Sequence, residues 1–509
     1  MSSTFDFSQP FTDKAAFERA ATQLRAAGFT HLPVMRETLA DLDTPLSTYL
    51  KLADQPYTYL FESIHGGDKW GRYSIIGLPC QTVYRFYGHT LVVEVDGDET
   101  ERREVTDPLQ TVRQLQQQYK VASCAGLPEM TGGLVGYFGY DIVGFIEPRL
   151  AKPAKQDDLQ TPDILLMLSQ DVLVFDSLSG TVFVVTLVDL NDEQAFDAAQ
   201  RRLNQEVTAL GQNFAPPKTP ISDMPIREGD YQVYFKQPEF EAAVERCRDY
   251  IRDGDIMQVV LSQRLSAPYH GNSIDVYRAL RTINPSPYMY YLNLDDFQIV
   301  GSSPEILVRL QDDTVTVRPI AGTRNRGHNE HRDRELEQEL LADDKELAEH
   351  LMLIDLGRND VGRIAQIGSV KLTEKMQVER YSHVMHIVSN VEGHICDEYD
   401  AVDVLRATFP AGTVSGAPKI RAMEIIDELE PIKRGVYSGA VGYLAWNGSM
   451  DTAIAIRTAV IKDSVLSIQA GAGIVADSVA ELEWKETMNK ARAMFKAVEM
   501  ANAGLQIEV

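Results

Sequence analysis

Short runs of apolar residues, alternating with polar positions and closed by turn residues, predict strands in the first part of the chain. Residues 90–97 are typical of a strand that ends in an Asp-Gly turn, and 171–175 with 181–188 are typical of a hairpin. Residues 191–210 repeat apolar positions at helical spacing and predict an amphipathic helix. This part of the chain therefore combines short strands with intervening helices.

A linker is predicted over 211–225, where four prolines fall among few apolar residues. It separates an N-terminal region, 1–210, from a C-terminal region, 226–509. Strands and helices that mix without regular βαβ alternation favour an α+β fold. In the C-terminal region the pattern predicts strands at 256–261, 307–310, 315–318, 439–446, 452–461 and 465–470, a charged loop and helix over 324–346, a buried helix at 347–356, and further helices at 238–253 and 479–501.

Composition narrows the class of protein. The chain has 509 residues, of which 44% are hydrophobic and 24% charged, so it can bury a large core. Its net charge of −25 argues against a nucleic-acid partner, because a phosphate backbone needs a basic surface. An anionic substrate would need a locally basic pocket.

The cysteines and the apolar runs bear on location. Cys80, Cys124, Cys247 and Cys396 show no CxxC or metal-binding spacing, which favours reduced thiols in a cytoplasmic protein. The start of the chain is polar, and no apolar run reaches about 18 residues. We therefore expect neither a signal peptide nor a membrane contact.

Two carboxylates from distant segments are the main candidates for chemistry. Glu349 and Glu486 each lie in a helical pattern among apolar neighbours. Ionised carboxylates in such places need a cation or a dense hydrogen-bond network, and two that converge would suit Mg²⁺. On the final helix, Glu483, Glu486 and Lys490 share one face, which is equally typical of a solvated, salt-bridged surface.

Several single residues are candidates for binding an anion or moving a proton. Gly471 and Gly473 precede a helix N-terminus and can bring backbone amides close to an anion, although such glycines also form ordinary turns. Arg457 lies in an otherwise apolar strand and needs an anionic partner, either a ligand carboxylate or a protein acid. His386 is compatible with packing or with catalysis. Glu305 follows a strand at a loop edge, where functional residues concentrate.

Long motifs in a fixed order resemble the chorismate-utilising enzymes, and within that family the large subunits (component I) of anthranilate synthases. The motifs are 319–324, 355–360, 410–419, the Gly471 segment and the helix of Glu486. The similarity is strong over 230–500 and looser in the N-terminal third. It implies antiparallel sheets packed as a β-sandwich with helices outside, and an active cleft between subdomains.

The resemblance also implies roles for individual residues. Glu349 and Glu486 would hold Mg²⁺ with Glu483 beside them, and the metal would grip the ring carboxylate of chorismate. Glu305 would protonate the departing hydroxyl, and His386 with Thr323 would orient the substrate and aid the loss of pyruvate. The implied substrate-binding residues are Gly322, Thr323, Tyr437, Arg457, Gly471, Ala472, Gly473 and Lys490.

Two positions discriminate between the reactions of the family. Water-adding relatives carry a lysine base where this chain has Gln258, and a glutamine is a poor base, so ammonia is favoured as the nucleophile. Aminodeoxychorismate synthases carry a nucleophilic lysine where this chain has Ala321. The implied reaction is chorismate plus ammonia to anthranilate and pyruvate, in tryptophan biosynthesis. Aminodeoxychorismate synthase component I and a non-catalytic tryptophan-binding subunit are the alternatives.

A feedback site is implied in the N-terminal third. The segment 60–63, Leu-Phe-Glu-Ser, resembles a tryptophan-site element and would form a pocket with 284–289, although alone it is also typical of a strand end. The residues implied to bind tryptophan as an inhibitor are Glu62, Ser63, Pro287, Tyr288 and Met289. No Gly-x-Cys-x-Gly turn surrounds a cysteine, so ammonia would come free or from a separate glutamine amidotransferase subunit.

Overall fold

The strands of the chain form two large antiparallel sheets in the computed structural model, which describes residues 13–64, 72–122, 126–151, 155–215, 217–222, 226–381 and 384–506. The helices are α1 Lys14–Ala26, α2 Pro45–Leu52, α3 Pro108–Gln117, α4 Val143–Ile146, α5 Ala195–Leu210, α6 Gln237–Arg252, α7 Ser273–Ile283, α8 Glu330–Leu341, α9 Asp344–Gly362, α10 Ala401–Thr408, α11 Lys419–Leu429 and α12 Ala480–Asn502. The strands are β1 His31–Leu39, β2 Thr58–Glu62, β3 Tyr73–Gly77, β4 Thr82–Tyr87, β5 Thr90–Val95, β6 Asp98–Glu104, β7 Gly133–Phe138, β8 Ile164–Ser169, β9 Asp171–Asp176, β10 Thr181–Asp189, β11 Gln232–Val233, β12 Gln258–Pro268, β13 Tyr288–Asn293, β14 Phe297–Ser303, β15 Ile306–Gln311, β16 Thr314–Val317, β17 Ile320–Asn325, β18 Lys371–Arg380, β19 Val384–His394, β20 Gly416–Ala417, β21 Ala440–Ala445, β22 Met450–Ile454, β23 Thr458–Lys462 and β24 Val465–Ile474.

Both sheets contain strands from both sides of the predicted linker. The first sheet has the order β1-β10-β9-β3-β2-β13-β14-β23-β24-β12-β11, with β20 also pairing β12. The second has the order β17-β19-β16-β15-β22-β21-β7-β8-β4-β5-β6, with β18 pairing β19. The regions 1–210 and 226–509 therefore meet along two seams inside the sheets, β2 against β13 and β7 against β21.

The core between the sheets follows from the two-residue period of the strands. In β13, Tyr290 and Leu292 point toward the second sheet, whereas Met289 and Tyr291 pack under the helices that cover the first sheet. The rings of Tyr137 in β7 and Phe297 in β14 meet edge-on across the sheets with centroids 6.1 Å apart. Helices α1, α5, α7 and α12 cover the outer face of the first sheet, and α3, α10 and α11 contribute to the core on the second. The predicted α+β sandwich with outer helices is confirmed.

Two neighbouring segments carry the chain from one sheet to the other, and they position the site described below. The first runs from β14 to β15 through Pro304 and Glu305, and the second from β22 to β23 through 455–457. The two segments are hydrogen-bonded, because Ile454 N–H donates to the Glu305 carbonyl and Ser302 N–H donates to the Arg457 carbonyl, at 3.0 and 3.1 Å. We call this pair of segments the crossover.

The prediction of one strand over 452–461 is therefore wrong. Arg457 adopts φ +51°, a backbone conformation that non-glycine residues rarely occupy and that ends strand pairing at this point. The apolar pattern continues through the break because both flanking strands are buried, each in a different sheet. A hydrophobic run gave no sign of the change of sheet.

Most other predicted elements are confirmed, with small shifts at their ends. The hairpin after β9 and the turn at Asp312 and Asp313, both with positive φ, lie as predicted. The full burial expected for 347–356 is wrong, because α9 exposes Leu351 to 47% while it buries Leu353 and Ile354. The described part of the linker packs against the end of α12, where Ser222 N–H donates to the Asn502 carbonyl.

Candidate active site

The crossover lies beside the end of β24, the hairpin of β17 and β19, and helices α9 and α12. With the crossover, these elements carry most of the residues predicted for substrate, proton or metal chemistry, and Gln258 at the start of β12 and Tyr437 before β21 carry the rest. Glu305 and Arg457 lie on the two segments of the crossover itself. Residues far apart in sequence are therefore brought into one cleft by the two chain segments that cross between the sheets.

Glu305 is a buried carboxyl that is held mainly in its neutral form. Its side chain is only 4% exposed, and Thr413 Oγ1 donates to its Oε1 at 2.7 Å. Burial raises the pKa of Glu305 to about 8, although hydrogen bonds from Thr413 and Ile320 and the charge of Arg457 oppose the shift. A carboxyl with this pKa carries a proton at neutral pH and can donate it.

Arg457 lies beside Glu305 without a carboxylate partner. Among the described residues, no acid lies within salt-bridge distance of its guanidinium, and no hydrogen bond from its side chain is seen. Burial lowers the pKa of Arg457, while Glu305 and Tyr381 favour its charge. A desolvated guanidinium of this kind is matched to a bound carboxylate, so the ligand alternative left open by the sequence is favoured over a structural ion pair.

His386 is fixed by the bulge in the β17–β19 pair. Its Nδ1 lies 3.0 Å from the carbonyl of Gly322 and 3.0 Å from Thr323 Oγ1. A carbonyl only accepts, so Nδ1 carries the hydrogen and Nε2 has the free lone pair. Burial lowers the pKa of His386 to about 4, which keeps the ring neutral at physiological pH. Gly322 has φ +69°, which allows its carbonyl to face the ring.

Gly471 and Gly473 lie in β24, which continues beyond the predicted strand end at residue 470, so their amides are offered from a strand. Val260 and Ser262 oppose the two glycines but direct their own N–H groups away, to the Ser415 carbonyl and to Glu430. These opposed pairs therefore exchange no hydrogen bonds, and the glycine amides point to the other edge of β24. β23 pairs with this edge of β24 up to Ala459 opposite Ile468, so its pairing stops before it reaches Gly471 and Gly473. The two amides can still receive an anion.

The same glycines allow polar side chains to approach the strand. A Cβ on Gly471 would lie 2.8 Å from the Tyr437 hydroxyl, and one on Gly473 would lie 2.6 Å from Gln258 Nε2. Burial raises the pKa of Tyr437 to about 12, so its hydroxyl remains a hydrogen-bond donor. Ala472, between the glycines, points into the core instead. The structure thus brings Tyr437 and Gln258 to the predicted anion-binding segment.

Two carboxylates, one on each of two helices, are linked to this segment. Gln258 Nε2 donates to Oε1 of Glu349, which lies on α9, at 3.1 Å. On α12, Lys490 Nζ donates to the Gly471 carbonyl at 3.0 Å and pairs with Glu486 at 2.7 Å. Glu349 and Glu486 are thereby tied to the adjacent ends of the paired strands β12 and β24.

The surrounding charges show that these helices approach each other. Burial and then the charge of Glu349 raise the pKa of Glu346. Burial also raises the pKa of Glu483, reinforced by Glu486 and opposed by a hydrogen bond from Ser478. Burial opposes the charge of Lys345, but its pKa is raised by Asp477, with which it pairs, and by Glu483 and Glu349. Oxygen donors crowded in this way fit a hard divalent cation, although no group of three or more potential ligands is already assembled within the described ranges.

The residues predicted to bind tryptophan lie at the seam between β2 and β13, apart from the crossover. Glu62 opposes Met289 across the seam. Its buried carboxylate accepts from Tyr277 at 2.5 Å and from both Nε and Nη2 of Arg281, at 3.0 and 3.1 Å. Tyr288 donates its hydroxyl proton to Asp451 in the second sheet at 3.0 Å. Ser63 and Pro287 are partly buried beside them.

Sequence reasoning missed two contributors to the site. Thr413, the hydrogen-bond donor to Glu305, lies in the motif 410–419 and was not singled out. Arg434 is fully buried, pairs with Glu430 at 2.7 Å and lies 5.6 Å from the ring centroid of Tyr437. An arginine four residues after a glutamate near the end of a helix was the signal available for that pair.

Comparison with known proteins places the chain in a family. A model described as chorismate binding enzyme matches residues 67–496. The anthranilate synthase component 1 of Pseudomonas aeruginosa is 59% identical over 485 residues, which cover 95% of this chain and 99% of the relative. That of Aquifex aeolicus is 48% identical over 481 residues, 92% of this chain and 95% of the relative.

Solved structures agree with the architecture. The crystal structure of anthranilate synthase component I from Streptococcus pneumoniae superposes with a TM-score of 0.74 at 39% identity, covering 90% of this chain and 99% of that one. The isochorismate synthase MenF of Escherichia coli shares the fold at 18% identity, with a TM-score of 0.68 over 95% of this chain and 100% of that one. Within the described ranges, no helix combines the length and hydrophobicity that crossing a membrane requires.

Proposed function

The chain belongs to the chorismate-binding enzymes and, within them, to the anthranilate synthase component 1 family, and we propose that its cleft converts chorismate and ammonia into anthranilate, pyruvate and water. The observation that carries the proposal is the pair at the crossover. Arg457 has no carboxylate partner among the described residues, and Glu305 beside it is protonated at neutral pH. A carboxylate-bearing substrate that must lose a hydroxyl needs both features.

Substrate binding uses the local positive charge. Arg457 takes one carboxylate of chorismate through its planar fork, and the amides of Gly471 and Gly473 with the Tyr437 hydroxyl form a second set of donors. Lys490 lies within hydrogen-bond distance of the Gly471 carbonyl and adds a cation to the same segment. This arrangement supplies the basic pocket that a chain of net charge −25 needs for an anionic substrate.

Bond changes follow from the protonation states. Ammonia adds at C2 of the ring, the C4 hydroxyl takes the proton of Glu305 and leaves as water, and the enolpyruvyl group is then eliminated as pyruvate. The elimination requires loss of the C2 proton, and neutral His386 has a free lone pair at Nε2 to accept it. Thr323, bonded to the same ring, holds its orientation.

Ammonia is the preferred nucleophile because two lysines that direct other reactions of the family are replaced in this chain. Gln258 stands at the water-activating position, and its amide is already bonded to Glu349. Ala321 stands at the position of the nucleophilic lysine and has no reactive group. The ammonia is supplied free or by a glutamine amidotransferase subunit, which we propose as the partner.

Magnesium is proposed as the cofactor on the donor chemistry of the two helices. Glu349 and Glu486 would hold it, with Glu483 beside them, and a divalent cation would offset the burial and the charge of Glu486 that raise the pKa of Glu483. When bound, the ion supplies Lewis-acid stabilisation of negative charge on the substrate. Tryptophan is proposed as a feedback inhibitor at the seam of β2 and β13.

The proposal is tested by incubating the purified chain with chorismate, ammonium and Mg²⁺. Anthranilate is followed by its fluorescence and pyruvate by a coupled assay, with and without tryptophan. We expect equal amounts of the two products and inhibition by tryptophan. Formation of aminodeoxychorismate without pyruvate would overturn the proposed reaction, and no turnover at all would favour a tryptophan-binding subunit without catalysis.

A further inference from the structure

Ser302 occupies a position that touches both the predicted tryptophan segment and the crossover. It is the second-to-last residue of β14 and is completely buried. Its backbone N–H donates to the carbonyl of Arg457 at 3.1 Å. Because Arg457 adopts φ +51°, this bond helps to hold a backbone conformation that is unfavourable without support.

The side chain of Ser302 points to the segment 284–289. Asn284 Nδ2 donates to its hydroxyl oxygen at 2.9 Å, and the hydroxyl donates to the Asn284 carbonyl at 2.5 Å. The Ser286 hydroxyl oxygen lies 2.8 Å away. A serine hydroxyl has one hydrogen, which the Asn284 carbonyl takes, so Ser286 acts as the donor in the last contact. One buried serine is thus saturated by this segment.

The segment is in turn joined to the strand that carries Glu62. Ile64 N–H donates to the Ser286 carbonyl at 3.4 Å, and Met289 opposes Glu62 across the seam. A shift of Asn284 or Ser286 would therefore act on Ser302 through its hydroxyl. One backbone hydrogen bond then joins Ser302 to Arg457, the residue proposed to receive the substrate carboxylate.

Ser303, the residue after Ser302, connects the same strand end to Glu305, the proposed proton donor. Glu305 N–H donates to Ser303 Oγ at 3.3 Å, and that hydroxyl donates to the Glu305 carbonyl at 3.2 Å. Tyr288 provides a second link to the second sheet, because its hydroxyl donates to Asp451, which also receives Arg309. Asp451 and Arg309 lie on β22 and β15, the two strands of the second sheet that flank the crossover.

We propose that Ser302 is a positioning residue that couples the segment 284–289 to Arg457, so that occupation of the tryptophan site changes the affinity of the cleft for the carboxylate of chorismate. The inference rests on the proposed function and names its route of regulation. Ser302 touches no substrate itself and acts through the backbone of Arg457. Coupling of this kind is reciprocal and is measured as the ratio of substrate affinities with and without the effector.

The test compares Ser302→Ala with the wild-type chain and with Ser266→Ala. Ser266 is a matched control, because it is a buried serine of the same sheet, 5% exposed, whose hydroxyl is hydrogen-bonded to Tyr234. It lies near the end of β12 that is opposite to Gln258. For each protein the KM for chorismate is measured with ammonium as nitrogen source, without tryptophan and at saturating tryptophan. Melting temperature is recorded in parallel.

We expect tryptophan to raise the KM of the wild type and of Ser266→Ala by the same factor, within twofold. In Ser302→Ala the factor should fall toward one, and the KM without tryptophan should rise by about fivefold, the effect of about one lost hydrogen bond. The change in kcat should be smaller than the change in KM. If Ser302→Ala does not fold, Ser286→Ala removes one contact of the same hydroxyl and should lower the factor in the same direction.

Distinct results separate the two proposals. A wild-type chain that makes no anthranilate refutes the proposed function. Anthranilate formation with an unchanged tryptophan factor in Ser302→Ala or Ser286→Ala overturns the role of Ser302 and leaves the function intact. A wild-type KM that does not respond to tryptophan also overturns the coupling. A lower melting temperature of Ser302→Ala, with the KM values without and with tryptophan both unchanged, would show that Ser302 is merely structural.

Discussion

Replacing Glu305 by glutamine should remove activity and at the same time stabilise the protein at neutral pH. Glutamine has the shape of a protonated glutamate, and its Oε1 can keep the hydrogen bond from Thr413. It cannot donate a proton to a leaving hydroxyl as an acid does. We expect kcat to fall by about 10²–10⁴, the usual contribution of a general acid.

The stability gain follows from proton linkage. The pKa of Glu305 is about 8 in the folded chain and 4.5 in its ordinary state. Between these values the unfolded chain releases a proton that the folded chain keeps, so the wild type loses stability as pH rises. At about 1.4 kcal/mol per pH unit, the loss reaches about 3 kcal/mol at pH 7 and stops growing near pH 8. Glutamine carries no such penalty.

The assay is denaturant unfolding of both proteins at about pH 5.5 and about pH 7.5, followed by circular dichroism. The advantage of Glu305→Gln in the free energy of unfolding should grow by at most about 3 kcal/mol between these values. Glu62→Gln is the contrasting control, because Glu62 is buried in an ion pair with Arg281 and its loss should destabilise the chain by about 1–3 kcal/mol. An advantage of Glu305→Gln that does not vary with pH would refute the reasoning. The wild-type kcat should also decline above pH 8.

Three further substitutions test the cleft. Arg457→Gln should raise the KM for chorismate at least about tenfold with little change in melting temperature, because the guanidinium makes no ion pair among the described residues, and initial rates with calorimetry check both. Glu486→Gln should abolish magnesium-dependent turnover, whereas Glu481→Gln, an exposed carboxylate on the same helix, should leave the magnesium titration of activity unchanged. Gly471→Ala places a Cβ 2.8 Å from a phenol oxygen and should lower kcat/KM at least about tenfold, while Gly362→Ala meets open space in a helix, keeps activity and gains up to about 1 kcal/mol in unfolding experiments.

Each of these has a result that contradicts it. A large drop in melting temperature for Arg457→Gln would mean that the side chain has a structural partner. Equal loss of activity in the variants of Glu481 and Glu486 would point to the helix rather than to a metal ligand. Full activity of Gly471→Ala would show that Tyr437 can move away without consequence.

The sequence indicated which residues to group into a candidate site better than it indicated their arrangement. Glu305, Arg457 and His386 stand out because charged or titratable groups in apolar segments need an explanation. Their grouping depends on two chain segments that change sheets together, and local periodicity cannot show this since both flanking strands are buried. The glycines of β24 illustrate the same limit. Their spacing indicated close backbone approach, but whether their amides face a partner strand depends on pairing with distant residues.

The pKa of Glu305 was likewise beyond sequence reasoning. Its shift arises from the depth of burial, and only the folded chain places Thr413 and Arg457 beside it. The helix of Glu349 was predicted, but its burial was overestimated, because an apolar circumference does not reveal which face is covered. Thr413, an ordinary residue in a long motif, gave no local signal at all.

The seams inside the two sheets have a consequence for how such a protein can change in evolution. A fragment that began after the linker would leave β13 and β21 as naked edges, with unsatisfied amides and carbonyls that favour self-association. The N-terminal region, which carries the strand of the proposed tryptophan site, therefore cannot be removed by truncation without exposing two sheet edges.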